Sequence, residues 1–140
     1  FRHEFAVSAE SLQKMGYTLS ATPGTAQFYD EHYGLKMKSV SKPDDVEDSD
    51  ESPGTALYEI KNKLVDLVIN VSEGTTRREE ITAGYVIRRA VVDFGVSLLT
   101  DVKCAIKFTE CLERGMGEGR QTPRHIGEYY KIPTVGWTKE

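Results

Sequence analysis

The sequence has few of the features that mark the common catalytic and targeting classes. It has only two cysteines, Cys104 and Cys111, seven positions apart. On a helix that spacing is about 10 Å of rise, too far for a disulfide. They read as small buried hydrophobes of a protein from a reducing compartment. No Cys/His cluster has zinc-ligand spacing, so no metal is expected. No apolar run reaches the roughly 20 residues of a membrane helix. The opening Phe1-Arg2-His3-Glu4-Phe5 lacks the apolar stretch of a signal peptide, and no membrane partner is expected. The net charge of −4 gives no footprint for nucleic acid. GxGxxG, Walker, HExxH and nucleophile-elbow patterns are absent. The three histidines, His3, His32 and His125, fall at a helix start, a helix end and the tail, where imidazoles are ordinarily solvated or packed. General acid–base work would need such a group at a strand end. The candidates are Asp44 and Asp45, in a flexible acidic stretch, and Asp101, better read as a helix cap. No catalytic residue is assigned.

What is present is one domain's worth of chain, 140 residues at 39% hydrophobic and 29% charged. Its organising stretch is Ser20-Ala21-Thr22-Pro23-Gly24-Thr25-Ala26. A short strand over 17–21 is followed by a helix from 26 to 32 that stops before Gly34. Between them Gly24 offers a tight turn, and the first helical turn offers free amides and a favourable dipole for an anion. Thr22 and Thr25 add hydroxyls. The plainer alternative is Thr25 as an N-cap beside a turn glycine.

Around this stretch helices and strands alternate. A helix over 2–15 carries Phe5, Ala9, Leu12 and Met15 on one face. A strand is predicted over 36–41, then an acidic mobile loop over 44–52. A helix over 55–62 and an apolar strand over 64–70 follow. After a loop over 71–80 come a helix over 81–94, with Val86, Ala90 and Val91 inward, and a strand over 96–100. Asp101 caps a last helix over 102–114 whose inner face is Ala105, Phe108 and Leu112. Gly115, Gly117 and Gly119 break the chain before a tail bearing Tyr129, Tyr130 and Trp137. The predicted class is α/β, a three-layer sandwich on a parallel sheet, with residues 1–114 as the domain and 115–140 as a tail packed on it. Ligands of such sheets sit at the carboxyl ends of the strands. Three ends then converge: Thr22 to Thr25, Ser41-Lys42, and Asn70-Val71-Ser72. Hydroxyls, one ammonium and one amide suit a phosphorylated or carboxylated small molecule.

The residues Gly16 to Thr25, Leu67-Val68-Ile69-Asn70, Tyr85-Val86-Ile87-Arg88-Arg89 and the helix from Asp101 resemble the methylglyoxal-synthase-like domain. The likeness is nearer to the version at the carboxyl end of carbamoyl-phosphate synthetase, where it is the allosteric domain. It spans residues 2–114, with a weaker trace near Arg124 to Tyr130. The resemblance implies a five-stranded parallel sheet. Its opening strand would precede the first helix, so a further segment or a partner is expected to supply it. It implies an effector cradle on Thr22, Gly24, Thr25, Lys42, Asn70 and Ser72, with Arg2 near the first helix and Arg77 and Arg78 on a basic loop. It implies partners in the remaining synthetase domains and an anionic effector: UMP or UTP, IMP, phosphoribosyl pyrophosphate, or N-acetylglutamate. It implies no cofactor in this domain. The setting it implies is cytoplasmic, or the mitochondrial matrix for a urea-cycle-type synthetase.

The alternative within the resemblance is a lyase acting on dihydroxyacetone phosphate. Lys42-Pro43-Asp44-Asp45 and Thr82-Ala83-Gly84 stand where the lyases carry a Gly-Gly-Asp and a histidine, which argues against it. Relatives that sense N-acetylglutamate have tryptophan at the Lys42 place and asparagine at the Gly84 place. A lysine there suits phosphate, which favours a nucleotide or phosphoribosyl effector.

Overall fold

A computed structural model describes residues 1–43, 52–72, 83–115 and 125–128. Helix α1 runs Arg2–Lys14 and buries Ala6, Ser8, Ala9 and Leu12, a stripe at three- and four-residue spacing. Strand β1 is Ser20–Ala21. Helix α2, Pro23–Tyr33, ends at Gly34 with φ 64°, the left-handed cap that the glycine permits. Strand β2 is Lys38–Ser39, and helix α3 is Ala56–Lys61, capped by the Thr55 hydroxyl, which accepts from the Tyr58 amide. Strand β3 is Leu67–Ile69, helix α4 Ala83–Asp93, strand β4 Ser97–Leu99 and helix α5 Val102–Gly115. A 3-10 turn covers Ile126–Glu128. The acidic stretch over 44–51, most of the loop over 71–80 and most of the tail, including Tyr129, Tyr130 and Trp137, lie outside the described residues.

All strand pairing is parallel, as the alternation of elements predicts. The five-stranded sheet is corrected, however. Among the described residues the strands form two two-stranded sheets. In one, β1 pairs with β2 at Ser20↔Lys38 and Ala21↔Ser39. In the other, β3 pairs with β4 at Leu67↔Ser97 through Ile69↔Leu99. The strands are two or three residues long, against the five to seven predicted from the apolar runs. A branched, apolar run specifies a residue that fits a pleated surface. A ladder also needs a neighbour to bond, and among the described residues each strand has one on a single side.

One core holds the two pairs in a common frame. Val40, just past β2, packs with Ala56, Leu57 and Ile60 of α3 and with Ile87, Ala90 and Val91 of α4, and the half-buried Val68 of β3 and Leu98 of β4 close on the same cluster. A second cluster joins Ala6 and Ala9 of α1 to Tyr29 of α2 and Leu35, with Leu19 and Met37 against it. Helix α1 also packs along α5.

Helix α5 corrects two expectations. Its buried residues are Val102, Ala105 and Thr109, so Phe108 stands 42% exposed rather than inward. Cys104 and Cys111 are exposed free thiols, not buried ones, because each lies one or two positions off the buried stripe. Asp101 does cap this helix: its carboxylate accepts from the Cys104 amide at 2.9 Å. That bond holds the Asp101 carboxyl below its ordinary range. A depressed carboxylate contributes stability above its unfolded pKa and loses it as pH falls through the folded one. Asp101→Asn, which keeps an acceptor without the charge, is therefore expected to flatten the acid limb of a thermal-midpoint titration. Asp101→Ala should lower the midpoint at neutral pH as well.

Candidate functional site

The head of α2 is built by Thr22 and Pro23. Thr22 is extended, with φ −64° and ψ 152°, and serves as the N-cap residue. Proline follows at the first helical position, where its fixed φ suits the helix and its missing N–H costs nothing. The helix therefore starts three residues earlier than predicted, and Thr25 is not its cap. Gly24 sits inside the first turn rather than forming a tight turn before it, and its φ is not left-handed. The Thr25 and Ala26 amides donate to the Thr22 carbonyl at 2.8 and 2.9 Å. With Pro23 lacking an N–H, Gly24 supplies the amide this turn leaves over. The Thr22 hydroxyl donates to the Thr25 hydroxyl at 3.3 Å, so both oxygens face one spot. A side chain at position 24 would meet nothing within 4 Å, so the surface at Gly24 itself is open.

Lys42 arrives from the end of β2. The Val40 amide donates to the Ala21 carbonyl at 2.9 Å, setting the β2 end level with Thr22. Ser41 is pinned on both sides: its amide donates to the Gly54 carbonyl at 3.0 Å, and its carbonyl accepts from the Ala56 amide at 2.9 Å. Lys42 follows, exposed, and Pro43 beyond it is buried. The lysine is thus held at its base between two anchored residues, and it has no ion-pair partner among the described residues.

The neighbouring Lys38 is different, and sequence reasoning missed its role. Its ammonium pairs with Glu59, whose side chain is only 6% exposed, so this cation is already neutralised. An acid inside an otherwise apolar helix face was the one available signal. Removing the lysine leaves a buried carboxylate without its partner. Lys38→Met is expected to cost about 2 kcal/mol, tempered by the half-exposed ammonium, and Glu59→Gln about half as much. Urea unfolding of the two variants checks the order.

Asn70 and Ser72 lie past β3. The Asn70 amide donates to the Leu99 carbonyl at 2.9 Å, extending the β3–β4 ladder by one residue. Its side-chain Oδ1 accepts from Arg88 Nη1 of α4 at 2.8 Å. Ser72 is exposed. Nothing in the sequence pairs positions 70 and 88, which lie eighteen residues apart across a loop.

Arg2 stands at the start of α1 with its guanidinium 5.6 Å from the centre of the Phe28 ring. Its carbonyl accepts from the Tyr29 hydroxyl at 3.0 Å. It belongs to an aromatic group in which His3 lies edge-on to Phe28 at 4.7 Å and His32 stacks on Phe28 at 4.5 Å. Burial and the neighbouring Tyr33 push the Tyr29 hydroxyl above its ordinary range. Arg77 and Arg78 lie outside the described residues.

The structure thus brings Thr22 and Thr25 into contact and sets the β2 end, with Lys42 two residues beyond Val40, level with them. Asn70 and Ser72 occupy the matching carboxyl end of the other strand pair. A cleft of about 380 Å³ runs between α2 and β2, lined by Pro23, Ala26, Gln27, Asp30, Lys36 and Ser39 among others; it borders Gly24 and Thr25, but none of the predicted site residues lines it. Among the described residues no cluster of His, Cys, Asp or Glu could hold a metal ion. No described helix is long and apolar enough to cross a membrane.

Comparison with known proteins adds a lineage to this geometry. Residues 4–100 match the model of the MGS-like domain. The chain is 37% identical to multifunctional protein CAD of Squalus acanthias, over 89% of this chain and 6% of the relative. It is 38% identical to multifunctional protein pyr1-3 of Dictyostelium discoideum, over 79% and 5%. It is 33% identical to the carbamoyl phosphate synthase large chain of Methanosarcina mazei, over 91% and 11%. The chain therefore spans only a small fraction of these relatives.

Proposed function

The chain belongs to the family of MGS-like domains, and on that footing we propose that it is an effector-binding, regulatory domain of a longer carbamoyl-phosphate synthetase-type polypeptide. The unit that carries this role is residues 1–114. The anion sits at the strand ends, against the Thr22 and Thr25 hydroxyls, the Gly24 amide, Lys42, Asn70 and Ser72; Arg77 and Arg78, which the family resemblance adds to this set, lie outside the described residues. The effector is of the phosphorylated nucleotide or phosphoribosyl type, with N-acetylglutamate as the carboxylate counterpart. The bond-making chemistry, an ATP-dependent ligation that yields carbamoyl phosphate, belongs to other domains of that polypeptide and feeds pyrimidine or arginine and urea metabolism.

The observation that carries this reading is the paired hydroxyls of Thr22 and Thr25, 3.3 Å apart at the head of α2. Lys42, two residues past the Val40 amide that bonds the Ala21 carbonyl, brings a cation that no described carboxylate neutralises. The described groups of this set are donors, which fit an anion that is to be held. Control follows if the effector binds two states of the longer protein with different affinity, since only that difference shifts their populations.

A thermal-shift panel of UMP, UTP, IMP, phosphoribosyl pyrophosphate and N-acetylglutamate tests the reading. At about 100-fold excess over Kd a bound effector adds about 2.7 kcal/mol of stability, and Thr25→Ala should reduce that gain. A flat panel would sink the proposal. Release of methylglyoxal from dihydroxyacetone phosphate, abolished by Asp44→Asn or Asp45→Asn, would replace it with the lyase.

A further inference from the structure

We infer that Arg88 is a positioning residue for the strand-end site, fixing the Asn70 amide so that its NH2 group is the end left for a ligand. The inference rests on the proposed anion site and adds a residue to it. Arg88 Nη1 lies 2.8 Å from Asn70 Oδ1. A carboxamide can turn over, exchanging its oxygen and nitrogen. A guanidinium carries five donors and no acceptor. It can face only the oxygen, and the reversed amide would set N–H against N–H. Arg88 therefore decides which end of Asn70 is free.

The backbone reinforces that choice. Asn70 is locked to β4 through its own amide and the Leu99 carbonyl, so its Cα cannot swing to suit another partner. Arg88 is half-buried on α4, next to Ile87 of the core cluster. Among the described residues Asn70 Nδ2 has no bonded partner. Two N–H donors at a strand end donate to a ligand oxygen and disfavour a ligand that brings only donors. The specificity of Asn70 for an anion is thus written eighteen residues away.

The test titrates UMP and inorganic phosphate into this chain and three variants by calorimetry, with thermal midpoints recorded for each. Arg88→Met should weaken binding about tenfold, the loss of roughly one well-aimed hydrogen bond to a charged group. Arg88→Lys, which still offers a donor to Oδ1, should stay within about threefold of the parent. Asn70→Asp keeps a partner for Arg88 and should hold or raise the midpoint. It should nevertheless weaken binding at least about tenfold, because an acceptor replaces the donors. A merely structural Arg88 would lower the midpoint of Arg88→Met and leave its Kd unchanged, while Asn70→Asp still weakens binding. That result overturns this inference while the anion site stands. Failure of the parent chain to bind either probe overturns both.

Discussion

Replacing Ile60 by alanine is expected to remove about 3 kcal/mol of folding stability. Ile60 is 2% exposed and sits where α3 meets α4. Truncation deletes buried methyl and methylene groups and leaves a cavity that its neighbours close only in part. Those neighbours come from both halves of the fold: Val40 beyond β2, Ile87 and Val91 of α4, and through them Val68 and Leu98 of the second strand pair. The loss is a large share of the roughly 5–15 kcal/mol a domain of this kind has in total. Ile60→Val, one methylene smaller, should cost only about 1 kcal/mol. Urea unfolding with an unchanged slope would attribute both losses to the folded core. A cost under about 1 kcal/mol for Ile60→Ala would mean that this core does not tie the two strand pairs together.

The second large effect concerns binding. Lys42→Met is expected to weaken UMP binding at least about tenfold, since a charge-assisted bond to phosphate is worth about 1.5–3 kcal/mol. Lys38→Met should change it by less than about twofold, because Glu59 already neutralises that ammonium. The two lysines lie four positions apart on the same sequence segment, so the contrast separates a specific cation from a general loss of positive charge. Raising the salt concentration should weaken the parent chain and narrow the gap between it and Lys42→Met, as screening of an exposed cation requires. Equal losses in both variants would contradict the site as drawn.

The helices were legible because each carries its own punctuation. Gly34 ends α2 with a left-handed residue, and Asp101 opens α5 with a side-chain bond to the Cys104 amide. These are local interactions, written within four residues of where they act. The strands were legible only as places where the chain would be extended. The run from Leu64 to Asn70 is apolar enough for a buried sheet, yet its first three residues join no ladder and strand β3 is only Leu67–Ile69, since pairing depends on a neighbour that the run itself does not specify. The Thr22 to Thr25 stretch reads in sequence as a turn before a helix starting at 26, three residues later than the helix begins. Proline at position 23 preorganises the helix start and removes one amide, which moves the cap to Thr22 and takes the tight turn away from Gly24. The pairs Arg88 with Asn70 and Lys38 with Glu59 join positions eighteen and twenty-one apart, and no periodicity of helix or strand encodes such contacts. The thiols of α5 are exposed because the buried stripe is Val102, Ala105 and Thr109 rather than Ala105, Phe108 and Leu112, which leaves Cys104 and Cys111 off the buried face.

The most direct test of the anion cradle is amide-shift mapping by NMR during titration with UMP. The account predicts that the largest changes fall on Gly24, Thr25, Lys42 and Asn70, with the Asn70 side-chain NH2 among them, and little change along Gln27, Asp30 and Lys36 in the α2–β2 cleft. Changes concentrated in that cleft, or an absence of change at millimolar UMP, would contradict it.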